Sequence, residues 1–141
     1  IRDSSARVAQ EASPDGSVMI IIATDAPLSD RNLERLAKRS FLGLGRTGSA
    51  MSNGSGDYAL AFSTAESVRR TTARQAMLSR IADWPNGRMT PLFQAVVEAT
   101  EEAVYNALFK ASDVRGINEE LYPQLPVPAV LEILRDRNAI R

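Results

Sequence analysis

The sequence predicts an α/β fold. Three observations carry that reading: a continuous apolar, β-branched run at residues 18–24, a helical recurrence of apolar residues at 30–44, and an alternation of large and small residues at 58–64. Strand, helix and strand follow one another, and two further helical patterns complete the chain.

Residues 1–16 are polar, rich in small residues and end in Pro-Asp-Gly, so they read as a linker or exposed loop. The run from Val18 to Thr24 suits a strand buried on both faces. Thr24 to Pro27 ends it, and Ser29 or Asp30 is placed to cap a helix. Leu33, Leu36, Ala37, Phe41 and Leu44 then mark one helical face. Residues 45–57 hold four of the chain's eight glycines and form a loop. Tyr58, Leu60 and Phe62 alternate with smaller residues in the second strand. Residues 65–88 are a polar, Arg-rich excursion with one short helix around 71–82. Thr90 and Pro91 offer a capping hydroxyl followed by a proline at the first helical position, opening a helix to about residue 111. Residues 113–126 read as loop, and Pro128 opens a last helix to about residue 137. Two strands alone make a marginal sheet in water. An apolar strand such as 18–24 needs neighbours, so the pattern predicts that another chain completes the sheet.

Composition narrows the chemistry. The 141 residues suffice for one domain of ordinary size, and the 17 basic residues equal the 17 acidic ones. Zero net charge gives no reason to expect nucleic acid or an anionic membrane as partner. No apolar run approaches the roughly 20 residues that span a bilayer. Residues 1–16 lack the apolar stretch of a signal peptide, which leaves cytoplasm and periplasm both open. The chain starts at Ile1 rather than Met, which predicts that it is part of a longer product. No cysteine and no histidine is present. Disulfides and thiolate metal sites are therefore absent from this chain, and no metal or cofactor is expected.

Without histidine or cysteine, Ser-His-Asp and Cys-His arrangements are excluded within the chain. One remaining way to activate a serine is to make it the first residue of a chain, with its own α-amine as base. Gly16-Ser17, at the mouth of the apolar run, is where such a chain can be cut. Glycine at 16 leaves the preceding carbonyl open to attack by the Ser17 hydroxyl. The freed amine, with a pKa of about 7.7–8.0, can then act as a general base near neutral pH. Read alone, the same pair is more often a turn before a core strand.

The loop Ser52-Asn53-Gly54-Ser55-Gly56-Asp57 is the second candidate. It lacks the Walker lysine and the dinucleotide spacing. One reading is a flexible connection with an Asn-Gly turn. The other is that its glycines, together with Asn53 and Gly54, let backbone approach a substrate. Ser55 and Asp57, two residues apart, then lie on one side of an extended segment and orient protons near a serine nucleophile. Glu98, Glu101 and Glu102 read as a solvated helix face, and Arg69, Arg70, Arg74 and Arg80 lack the aromatic interleaving of a nucleic-acid surface. Trp84 beside Pro85 reads as a loop anchor.

The segment from Gly16 to Leu28, GSVMIIIATDAPL, resembles the cleavage junction and first strand of the L-aminopeptidase D-amidase/D-esterase family, which includes the β-peptidyl aminopeptidases. The run from Leu42 to Thr64 is similar to that family's second signature. Pro91 to Val104 resembles its long helix, and Gly116-Ile117-Asn118 adds a further match. The resemblance implies a layered α/β/β/α sandwich, similar in outline to N-terminal-nucleophile hydrolases, completed by a separate α chain. It implies a precursor that cuts itself between Gly16 and Ser17. Residues 1–16 would be the tail of the α chain and 17–141 the β-chain part of a single α/β domain. Ser17 would be the nucleophile, Ser55 a second active-site serine, and Asp57 would stand at an acidic position that is Glu in some members. Oxyanion donors and the group holding the substrate ammonium would come largely from the α chain, and αβ units would assemble into a higher homo-oligomer.

The function implied is a self-processing serine aminopeptidase acting on short peptides, amides or esters. One alternative is acyl transfer to an amine, as in the similarly folded ornithine acetyltransferases, which carry threonine at the junction. Another is a non-catalytic assembly subunit, which predicts that no chain begins at Ser17.

Overall fold

The computed structural model describes residues 16–76, 78 and 80–141. The linker reading of the first fifteen residues lies outside them, as do Met77 and Ser79 within the expected 71–82 helix. The chain divides into two compact units, one ending at Thr100 and one running from Glu101 to Arg141.

The first unit is built on β1 (Met19–Thr24), α1 (Asp30–Arg46) and β2 (Tyr58–Ser63). The strands pair in parallel, in register from Met19 against Tyr58 to Thr24 against Ser63. Parallel neighbours need a crossover, and α1 supplies it, packing against both strands. Ile20, Ile22, Ala59 and Ala61 share the half-buried face of the pair. The opposite face is bare: Met19 is 63% exposed, Ile21 63% and Tyr58 65%. The expectation that residues 18–24 are buried on both faces is therefore met on one face only. One helix covers one side of a two-stranded sheet, and among the described residues nothing covers the other.

The core joins Leu28, Leu36, Met89 and Val96, with Ile22, Leu33, Trp84, Leu92 and Phe93 packed against it. Burying a side chain such as Leu36 contributes about 1.5–3 kcal/mol. The buried stripe of α1 is Asn32, Leu36, Ala37, Ser40, Gly43 and Leu44. Its polar members are satisfied: the Ser40 hydroxyl donates to the Ala37 carbonyl at 2.7 Å, and Asn32 donates to Asp83 at 3.2 Å. Ser29 is the N-cap residue of α1 as expected, yet its hydroxyl makes no cap bond. Asp83, far along the chain, instead accepts the Ser29 N–H at 3.0 Å. Gly48, just past the C-cap of α1, has φ 97, which favours glycine.

The excursion after β2 contains one short helix, α2 (Thr72–Gln75), and a 3-10 turn at Asn86–Arg88. Trp84 anchors it as expected: its N–H donates to the Pro27 carbonyl at 2.8 Å and its indole to Arg88 at 3.1 Å. The long helix α3 spans Thr90–Phe109. Phe93 N–H donates to the Met89 carbonyl, so Thr90 is already inside the first turn rather than its cap. Pro91 sits in that turn, where its missing N–H costs nothing. Arg39 stacks on Phe93 with its guanidinium 3.5 Å from the ring centre.

In the second unit the expected loop 113–126 contains a small antiparallel pair, β3 (Val114–Arg115) and β4 (Leu121–Tyr122). Glu119, at φ 61, closes the turn between them. Helix α4 (Val127–Asp136) starts with Pro128 in its first turn. It ends with Asn138 in the left-handed region, Asn138 N–H on Arg135 and Ala139 N–H on Leu134, a Schellman motif.

Candidate active site

Parallel register builds the site. Because Met19 pairs with Tyr58, the residues just before each strand lie side by side. The ladder continues one step further, with Tyr58 N–H donating to the Val18 carbonyl at 2.9 Å. Ser17 and the segment 55–57 are thereby brought together across 39 or so intervening positions. The meeting point is the N-terminal end of the strands, the reverse of the usual ligand position in open α/β sheets.

Four contacts define it. Gly56 N–H donates to Ser17 Oγ at 3.0 Å. Ser55 Oγ lies 2.6 Å from the Gly16 carbonyl oxygen. It also lies 2.8 and 2.9 Å from the two Asp57 carboxylate oxygens. Val18 N–H donates to Asp57 Oδ1 at 3.2 Å. A hydroxyl has one proton, so Ser55 serves either the Gly16 carbonyl or Asp57 at a given moment. Asp57 thus reaches Ser55 and the backbone of residue 18 together, despite having one methylene fewer than glutamate.

The local sequence explains the geometry. Ser52 to Ser55 is a tight turn, with Ser55 N–H on the Ser52 carbonyl at 2.8 Å and Asn53-Gly54 at its centre. This is the Asn-Gly turn expected from the sequence. A Cβ on Gly56 would stand 3.2 Å from Ser17 Oγ, so glycine there admits the serine hydroxyl. Ser17 is exposed, while Ser55 and Asp57 are half-buried. A cleft of about 380 Å³ opens beside them, lined by Gly16, Ser17, Val18, Leu44, Ser49, Ala50, Met51, Ser52, Ser55 and Asp57. Met51 adopts φ 47, a left-handed conformation uncommon outside glycine and found disproportionately at functional sites.

Gly16, Ser17, Ser55 and Asp57 are therefore brought together. Asn53 and Gly54 are exposed and do not line the cleft. Gly56 and Met51 were not singled out by sequence reasoning. Gly56 is recoverable once the strands are aligned in register, whereas Met51 carries no sequence signal. Among the described residues, no group of three or more Asp or Glu is placed to hold a metal. None of the described helices is long and apolar enough to cross a membrane.

The arrangement offers a hydroxyl held by a backbone N–H, a carbonyl facing a second hydroxyl, and a carboxylate orienting that hydroxyl. The chain is 40% identical over 124 residues to the β-peptidyl aminopeptidase BapA of Sphingosinicella microcystinivorans, covering 88% of this chain and 31% of the relative. Its namesake from Sphingosinicella xenopeptidilytica is 40% identical over 121 residues, covering 86% of this chain and 30% of the relative. Among solved structures, the L-aminopeptidase D-Ala-esterase/amidase of Ochrobactrum anthropi, described as a new variant among the Ntn hydrolase fold, superposes with TM-score 0.75 at 31% identity. It is matched over 92% of this chain and 37% of that one. A Pyrococcus horikoshii protein gives TM-score 0.75 at 43% identity, over 86% of this chain and 34% of that one. The chain thus spans about a third of the length of these relatives. The predicted α/β class and its N-terminal-nucleophile likeness are borne out by these neighbours. The pattern of peptidase family S58 matches residues 2–122, and the chain belongs to that family.

Proposed function

We propose that this chain is the nucleophile-bearing part of a self-processing serine aminopeptidase. The observation that carries the proposal is the pairing at the junction: Gly56 N–H holds Ser17 Oγ, while Ser55 Oγ meets the carbonyl of the bond to be cut.

Self-cleavage begins when Ser17 Oγ adds to the Gly16 carbonyl carbon. The hydroxyl proton passes to the Ser17 nitrogen as the C–N bond breaks, leaving an ester between Gly16 and Ser17 Oγ. Water then hydrolyses the ester to a Gly16 carboxylate and a Ser17 that carries both hydroxyl and free amine. Ser55 donates to the carbonyl oxygen as charge develops there, and a preorganised donor of this kind is worth about 10²–10³ in rate. Before that charge develops the Ser55 proton rests on Asp57, which keeps Ser55 Oγ beside the Gly16 carbonyl. In each later turnover the Ser17 amine takes the hydroxyl proton and Oγ attacks the substrate carbonyl. The amine returns the proton to the leaving amine, and water releases the acyl group.

Residues 1–16 then form the tail of an α chain and 17–141 belong to the β chain. The bare apolar face of β1 and β2, and the span of only a third of the relatives' length, support completion of the sheet by that α chain. Substrates are short peptides, amides or esters with a free N-terminus, as the names of the relatives suggest, and αβ units associate further. The test is Ser17→Ala in the full-length protein. It is expected to remain in one piece and to lose hydrolysis of alanyl p-nitroanilide. Hydrolysis at the parental rate by this variant would refute the proposal.

A further inference from the structure

We infer that Met51 sets the size of the acyl side chain that the site accepts. This inference rests on the reading of Ser17 as nucleophile and deepens it.

In the uncut chain Gly16 supplies the carbonyl that Ser17 attacks, so Gly16 occupies the place of a substrate's acyl residue. A Cβ built on Gly16 meets nothing within 4 Å among the described residues beyond its chain neighbours. The acyl position therefore has room for a side chain, although the chain's own junction does not use it. Gly16 shares its cleft with Leu44, Ala50 and Met51, so the nearby walls are apolar and suit an aliphatic substituent.

Met51 also lines a second, larger cleft of about 750 Å³, among Phe41, Leu42, Phe93 and Val97. Met51 is common to the two spaces and is 42% exposed at their rim. Its backbone is held at φ 47, with its N–H donating to the Ser49 hydroxyl at 3.3 Å. A methionine fixed at an uncommon backbone angle between the catalytic cleft and a larger one, whose aromatic walls Phe41 and Phe93 are flanked by Arg39 and Arg46, acts as a partition. With it in place the acyl side chain is limited to the smaller space. Without it the two spaces join, and an aromatic acyl side chain reaches Phe41 and Phe93.

The test compares kcat/KM for alanyl and phenylalanyl p-nitroanilides in the full-length, self-cleaved protein. The parent enzyme is expected to favour the alanyl substrate at least tenfold, and a parent without that preference overturns the inference. Met51→Gly, which suits the left-handed angle, is expected to raise the phenylalanyl-to-alanyl ratio by at least tenfold. Met51→Asn, also tolerant of that angle, tests the same truncation if the glycine variant is not processed. A processed variant whose ratio stays within twofold of the parent overturns the inference while leaving Ser17 as nucleophile. A parent that cuts neither itself nor either anilide overturns the reading of the site.

Discussion

Asp57 and Asp83 make similar hydrogen bonds in two parts of the molecule. Asp57 accepts a backbone N–H from Val18 at 3.2 Å and faces the Ser55 hydroxyl. Asp83 accepts a backbone N–H from Ser29 at 3.0 Å and the Asn32 amide at 3.2 Å. Both tie a distant loop to the start of a regular element. They differ in what lies beyond the first contact. Past Asp57 are a hydroxyl proton, the Gly16 carbonyl and the Ser17 Oγ, at the edge of a cleft. Past Asp83 are the Asn32 carbonyl, already taken by Arg35 at 2.8 Å, and the closed core. On the function proposed above, Asp83 is structural because its neighbours are satisfied, and Asp57 is chemical because its neighbour Ser55 has a proton to move.

The comparison is sharpest under substitution. Asp57→Asn keeps the shape but misorients Ser55, and is expected to slow both self-cleavage and turnover by about 10²–10⁴-fold with little change in Tm. A time course of fragment release and an anilide assay read both effects. Gly56→Ala retains the N–H but places a Cβ against Ser17 Oγ, and is expected to slow self-cleavage by about 10- to 100-fold, since small misplacements at the reacting atoms are costly. Asp83→Asn should leave the rate per folded molecule unchanged. It should lower stability by about 0.5–1 kcal/mol, the lower part of the range for helix caps because the carboxylate is solvated. Denaturant titration measures that loss. If Asp83→Asn abolished processing, the division between the two aspartates would break.

A smaller effect concerns pH. The Ser29 backbone N–H, aided by the Ser29 hydroxyl and the Asn32 amide against a desolvation cost, lowers the Asp83 pKa from its ordinary value of 3.8. The folded pKa lies below the unfolded one, so this stabilisation is complete above about pH 4 and fades as pH falls through the lowered folded value. The Tm difference between parent and Asp83→Asn should be constant from neutral pH to about pH 4 and shrink below it.

Much of this was legible from residue order. The strand of Ile20 to Ile22, the α1 face with Leu36 and Leu44, and the alternation around Leu60 follow from periodicity, because each buries one side against its neighbour. Ser17 is legible because a chain without histidine leaves few ways to activate a hydroxyl, and Ser55 and Asp57 because their two-residue spacing in a glycine-rich loop puts them on one side. Asn32 and Ser40 inside the buried stripe were hidden, since a polar residue that satisfies its own hydrogen bonds looks like a solvent residue in sequence. The cap of α1 by Asp83 spans more than fifty positions and has no local signature. The bare face of β1 is not legible from residue order, because an apolar run marks a strand that needs covering and does not say which segment covers it.

The most direct measurement is the intact mass of the polypeptides in a purified preparation that hydrolyses alanyl p-nitroanilide. The account predicts a fragment whose first residue is Ser17, with a free amine and no remaining bond to Gly16. An active preparation in which residues 16 and 17 stay joined in every molecule would contradict it.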